Sequence, residues 1–301
     1  MTTLVRDLVV AQNVVNLYAE PDSGSGLVSQ AILGVSVECL KEHDDFCRVT
    51  MEDRYSGWTP RRAMSEDWDD SDHFKTHIAS LFADVFHAPD PYAEIITKLV
   101  VGTRVVVAHR PEVGDWVPLH LPDGQIGYVH QVCLNATHSA SADSVIQPGS
   151  NIGALKRQVL AAVGRQAAAV ARRFIGTPYL WGGCTPFGLD CSGLTQLSYK
   201  LSGLQLLRDA GLQFNDRRFL RIEENQTLDT AILDEGDLVA FSKAQDGRIT
   251  HIGLALGEGR FIHARGDQGV RIDDCDTAEY IATYVGAIRI SPDADLAIEA
   301  A

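Results

Sequence analysis

Residues 1–65 and 76–136 carry one order of elements twice, and no other feature limits the first half of the chain as tightly. Each copy opens on a strand-like run, passes an "AEPD" (19–22) or "HAPD" (87–90) loop, and reaches an apolar-Gly-x-x-Val element at 33–37 or 101–105. Each closes on an aromatic strand ending in Gly-Trp (57–58) or Gly-Tyr (127–128). Short β-rich runs broken by Pro, Gly and Asp clusters read as strands joined by turns. A repeated unit of about sixty residues with this texture predicts two small all-β barrels. Between them "SEDWDDSDHF" (65–74) is acidic and turn-rich, and reads as a linker.

The texture changes at "SASADSVIQPGS" (139–150), a Ser, Pro and Gly stretch that marks a boundary. After it, "ALKRQVLAAVGRQAAAVARRF" (154–174) predicts an Ala-rich amphipathic helix ended by "IGTP". β-rich runs follow at 236–242, 249–256, 260–265, 270–273 and 284–290. Helices first and strands after predict an α+β domain. The expected division is therefore 1–70, 71–145 and 146–301.

A lone cysteine stands in "FGLDCSGL" (187–194), at the mouth of a run whose Leu194, Leu197, Leu201 and Leu204 share one helix face. Asp190 is placed like an N-cap, and Cys191 falls in the first turn. There the helix dipole favours thiolate over thiol, and reactive cysteines often occupy that position. A small buried residue at a helix start leaves the same pattern.

A thiol nucleophile needs an imidazole to share its proton and a further group to orient that imidazole. Of ten histidines, His251 in "ITHIGLAL" and His263 in "RFIHAR" lie on successive predicted strands joined by "GEG" (257–259). A three-residue loop would pair Leu256 with Arg260 and bring both imidazoles to one face, on a diagonal of roughly 7–8 Å. A two-residue loop would put them on opposite faces. Gly259 suits the left-handed position that three-residue loops need.

Bulk properties exclude several classes. A net charge of −14 argues against nucleic acid or an anionic membrane as a partner. The start "MTTLVRDLVVAQ" lacks the features of a secretory signal, so a cytoplasmic location is expected. Six cysteines contain no C-x-x-C and resemble no disulfide framework. "HFKTH" places His73 and His77 at i and i+4 without the glutamate or cysteines of a zinc site, and no metal is expected.

The stretches "TPYLWGGCTPFGLDCSGLTQ" (177–196), "GDLVAF" (236–241), "THIGLALGEGRFIHA" (250–264) and "GVRID" (269–273) resemble the NlpC-type cysteine peptidases of bacterial cell walls, which have a papain-like fold. The two N-terminal units resemble bacterial SH3-like domains. The resemblance implies Cys191 as nucleophile, His251 as base and His263 as the orienting residue. It also implies that Tyr179 helps hold the oxyanion and that Asp190 and Ser192 bind the D-glutamyl part of the substrate. The whole layout looks like the γ-D-glutamyl-L-diamino acid endopeptidases, whose first barrel reads a free L-Ala amine. On that likeness the amine falls to Tyr55 in "EDRYSGW", with Glu20 and Trp181 beside it. Leu207 and Glu235 stand where the family usually has Pro, which puts loop shape in doubt.

The resulting expectation is a cysteine endopeptidase, without cofactor, that cuts murein tri- or tetrapeptides after γ-D-Glu during cell-wall recycling. Two rivals keep the same residues: an acyltransferase using the same triad, and a non-catalytic wall-binding protein. The diamino acid, meso-diaminopimelate or Lys, is not legible.

Overall fold

The computed structural model describes residues 6–66, 68, 74–109, 111–135, 152–222, 228–244 and 247–294. The boundary stretch 139–150 and His73 fall outside them. The chain divides into two compact units, Met1–Ser144 and Val145–Ala301.

The first unit contains two antiparallel sheets, and the repeat is visible in their strand order. One sheet runs Leu27–Ile32, Val14–Tyr18, Ser56–Pro60, Phe46–Thr50, Ser36–His43, Arg6–Val10, Met64–Ser65. The other runs Ile95–Val100, Phe82–Phe86, Ile126–His130, Trp116–His120, Arg104–Val107, Lys75–His77, the same order without the last short strand. Alternate residues face inward, as strands with one buried face require. Leu17, Val37 and Val49 lie in one core cluster, and Val85, Val105 and Val117 in the other.

The repeated Gly-aromatic pair has a steric cause. Tyr18 pairs with Trp58, and Phe86 with Tyr128. At these crossings a Cβ on Gly57 would sit 2.8 Å from Leu17 Cβ, and one on Gly127 would sit 2.3 Å from Val85 Cγ1. The predicted linker does more than span. Trp68 within it is buried against Gly34, with the Arg104 guanidinium 5.4 Å from its ring.

The second unit opens on α1 (Ile152–Ala171), then α2 (Cys191–Lys200), α3 (Ala210–Phe214) and, late in the chain, α4 (Ala278–Thr283). Besides the short antiparallel pair Cys184–Thr185 and Gly188–Leu189, its strands are β1 (Phe219–Arg221), β2 (Leu238–Phe241), β3 (His251–Gly257), β4 (Arg260–Arg265), β5 (Gly269–Asp274) and β6 (Tyr284–Ile290). They form one antiparallel sheet in the order β1-β6-β2-β3-β4-β5. The helix at Cys191 is shorter than the leucine spacing suggests. It stops at Lys200, where Gly203 takes a φ of 93° and the Leu204 amide donates back to Tyr199 O at 2.9 Å. This is a glycine stop of the Schellman kind.

Every residue of α2 from Cys191 to Tyr199 is buried, so its polar side chains must find partners inside. Ser198 Oγ donates to Leu194 O, Gln196 Nε2 to Leu206 O, and Thr195 Oγ1 meets Gln213 Oε1 at 2.6 Å. No helix among the described residues is long and apolar enough to cross a membrane.

Forcing a methyl into the second crossing should cost about 1–3 kcal/mol. Gly127→Ala should therefore lower the urea midpoint. Combining it with Val85→Ala should cost less than the two single changes summed, because the clash is with that side chain. Additive losses would show that the crossing is not the constraint.

Candidate active site

Asp190 builds the site. It is the N-cap of α2, accepting from the Gly193 amide at 2.6 Å. The Gly182 amide donates to its other oxygen at 2.9 Å, and Ser192 Oγ lies 3.2 Å away. Arg208, 1% exposed, grips both oxygens, with NH1–Oδ1 at 3.0 Å and NH2–Oδ2 at 2.6 Å, and donates to Ser192 Oγ at 2.9 Å. Expected as substrate contacts, Asp190 and Ser192 thus already have protein partners. Sequence reasoning passed over Arg208, although "LLRDAG" was in view as a motif with a Leu in place of Pro. That loop keeps its shape because Gln213 Nε2 donates to Leu207 O at 2.9 Å. Glu235, the other departure, pairs with Arg172 at 3.1 Å.

Cys191 follows as the first residue of the helix and is buried. The Ser192 amide and the Ile252 amide, one residue beyond His251 on β3, favour the thiolate. Burial first, and then the Asp190 charge, push the thiol up to about 12, overriding those two amides and Arg208. Both causes oppose the thiolate expected at the helix start, desolvation more than the carboxylate that caps the helix.

Both imidazoles share one face, by a route the loop-length argument did not contain. Gly257 pairs with Arg260, which makes the loop two residues, Glu258 and Gly259, with φ of 53° and 70°. Positive φ at both positions is the hairpin geometry of a type I′ turn. A shift between Ala255 and Gly257 then inserts one extra residue, restoring the pairs Ala255↔Phe261 and Leu254↔Ile262. The bulge reverses the parity that the short loop would impose. His251 Nε2 consequently lies 2.7 Å from His263 Nδ1.

Burial, followed by His263, Lys243 and Arg265, lowers His251 to about 3, against Glu279. His263 is fully buried and lies stacked on Phe261, with centroids 4.5 Å apart. Burial lowers it too, against the hydrogen bond and charge of Asp273. Tyr179, bridged to Leu189, keeps its proton. Burial raises its hydroxyl first, then the Cys191 and Asp190 charges. A neutral phenol beside the thiol is a hydrogen-bond donor, as an oxyanion requires.

Trp181 is 71% exposed on the loop after Tyr179. In the first unit, Glu20 is exposed in the loop after Val14–Tyr18, and half-buried Tyr55 directly precedes Ser56–Pro60. Because Tyr18 pairs antiparallel with Trp58, both loops leave the same end of that sheet. Among the described residues, no cluster of three or more His, Cys, Asp or Glu could hold a metal ion.

Residues 176–289 match the NlpC/P60 family, and residues 17–64 match the bacterial dipeptidyl-peptidase SH3 domain. The chain carries a cysteine peptidase domain of the NlpC/P60 family. It is 29% identical to dipeptidyl-peptidase 6 of Lysinibacillus sphaericus, over 89% of this chain and 91% of that protein. It is 26% identical to a γ-D-glutamyl-L-lysine dipeptidyl-peptidase of Bacillus cereus, over 88% of this chain and 76% of that one. The fold resembles the crystal structure of an NlpC/P60 protein from Bacillus cereus ATCC 10987, with a TM-score of 0.72 at 22% identity. That likeness covers 94% of this chain and 99% of the other.

A neutral thiol predicts a specific alkylation profile, since only thiolate reacts. Iodoacetamide labelling of Cys191, followed by peptide mapping, should rise about tenfold per pH unit between pH 6 and 9. A plateau below pH 7 would instead mark a preformed thiolate–imidazolium pair. His263→Gln should keep more activity than His251→Gln, because an amide oxygen can still accept from His251. Equal and complete loss in both would contradict an orienting role.

Proposed function

We propose that the protein hydrolyses the amide between γ-D-Glu and a diamino acid in murein peptides that carry a free N-terminal L-Ala. The observation that supports this most is the span of the likeness. It covers 88% of this chain, which carries both the SH3 match and the peptidase match, in alignment with a relative named γ-D-glutamyl-L-lysine dipeptidyl-peptidase.

In this reading Cys191 attacks the γ-carbonyl while His251 takes the thiol proton. Tyr179 and backbone amides hold the oxyanion. The intermediate expels the amine of the diamino acid, which receives the proton from His251, and leaves a thioester on Cys191. Water, deprotonated by His251, then releases the L-Ala-γ-D-Glu dipeptide. Arg208, Asp190 and Ser192 form the floor of the D-glutamyl subsite.

The second sheet, 75–130, is read as a second SH3-like barrel, since it repeats the strand order of the first. Tyr55 and Glu20, with Trp181, are assigned to the substrate ammonium on the resemblance. A role in murein recycling within the cytoplasm completes the proposal.

Mass spectrometry of L-Ala-γ-D-Glu peptides ending in meso-diaminopimelate or Lys tests the reaction. The free peptides should be cut, and Cys191→Ala should cut none. A hydrogen bond to a charged group is worth roughly 1.5–3 kcal/mol. N-acetylating the peptide, or changing Tyr55→Phe, should therefore lower kcat/KM by about ten- to a hundredfold. If acetylated peptide is cut as readily as free peptide, the amine assignment is wrong. An amide of L-Ala-γ-D-Glu with an added amine, formed in place of the free dipeptide, would favour the acyltransferase.

A further inference from the structure

The hydrogen-bond chain does not end at His263. His263 Nε2 lies 3.1 Å from Asp273 Oδ2 on β5. Tyr280 of α4 donates its hydroxyl to the same oxygen at 2.9 Å, while Arg265 NH1 points at that hydroxyl from 3.3 Å. Arg271 holds the other oxygen, Oδ1, at 2.5 Å. Every neighbour of this carboxylate is therefore a donor.

We propose that Asp273 is a positioning residue of the peptidase, setting which nitrogen of His251 is free to accept the Cys191 proton. An ionised carboxylate only accepts hydrogen bonds, so His263 must carry its proton on Nε2. A neutral His263 then presents a lone pair on Nδ1. His251 Nε2, 2.7 Å away, must supply the hydrogen of that bond. Nδ1 is left as the basic nitrogen of His251. The relay fixes the tautomer of a ring two residues removed from the charge, with no proton transfer along it.

The electrostatics agree with each assignment. Burial works against the Asp273 charge, but the hydrogen bonds from Tyr280 and His263, with the charge of Arg271, outweigh it and hold the carboxyl below its ordinary value. A cavity of about 600 Å³ lies against this carboxylate, lined by Arg260, Arg265 and Arg271 and also by Asp274 and Glu279.

The proposal rests on His251 as the base, and its test reads the rings directly. In Asp273→Asn, Arg271 can only donate, so the new amide oxygen turns toward it and the NH2 faces His263. That inverts both rings and puts the proton on His251 Nδ1. Long-range proton–nitrogen spectra of 15N-histidine-labelled full-length protein at pH 7 should show Nε2–H on both rings in the wild type. Asp273→Asn should show Nδ1–H on both. Its kcat should fall by roughly 10²-fold or more while KM holds. A wild-type His251 protonated on Nδ1 overturns the proposal, and so does an Asp273→Asn protein with unchanged tautomers or kcat. If the variant does not fold, the wild-type spectrum decides alone. Turnover by Cys191→Ala would sink the peptidase reading and leave the ring assignments measurable.

Discussion

The carboxylate of Asp190 gathers five donors at the start of α2: two backbone amides, the Ser192 hydroxyl and both ends of the Arg208 fork. Such an ion pair is weak evidence for stability, because desolvation consumes much of what the attraction returns. Its effect here is geometric. The loop through Gly182, the first turn of α2 and the segment carrying Arg208 converge on one small anion, so none can move alone. Gln213 reinforces the same junction, donating to Ser192 O and Leu207 O. Removing either charge would strand the other, at a cost of about 3–5 kcal/mol. Cys191, the proposed nucleophile, is the next residue along.

That junction carries an electrostatic cost at the thiol. A negative charge one residue away opposes thiolate, as does the burial that protects the site. The imidazole is also held neutral, chiefly by burial. Both shifts weigh against storing the proton on the imidazole beforehand. In the proposed reaction the proton passes to His251, so it matters which of its nitrogens is free. The neutral phenol of Tyr179 and the amides at the sulfur then face charge that appears only on the reaction path, where preorganised donors act most strongly.

Much of this could be read from the chain before any coordinates. The helix start at Cys191, the strands around 238–241 and 260–265, and the repeat in the first unit all follow from local patterns of apolar spacing and turn residues. Elements that depend on distant partners were less legible. Leu201 and Leu204 extend the helical spacing, yet Gly203 ends the helix, because a left-handed residue outweighs a favourable face. Trp68 sits in an acidic stretch that composition marks as solvated, and only the neighbouring sheets explain its burial. Arg208 gave no local sign at all, since a buried arginine is recognisable only through the carboxylate it meets. The hairpin is the instructive case. Counting loop residues assigned the right face to His263, while the bulge that produces this face leaves no mark beyond an extra glycine.

His251, His263 and Asp273 come from three successive strands, β3, β4 and β5, so their alignment is a property of sheet register. Slipping any strand by one residue would turn its member of the chain to the opposite face. Register between β3 and β4 is pinned at the Glu258–Gly259 turn and its bulge. Register at β5 is pinned at its other end. Gly176 donates to Val270 O and Val270 to Thr177 O, each at 2.9 Å, tying the strand's first residues to the segment that leads into Tyr179. One backbone tie therefore fixes both the strand bearing the carboxylate and the approach of Tyr179, the proposed oxyanion donor. From there the His263↔Arg271 and Phe261↔Asp273 pairs set the carboxylate diagonal to the buried imidazole. The proposed acid–base chain is thus held in line by main-chain hydrogen bonds, and the side chains only complete it.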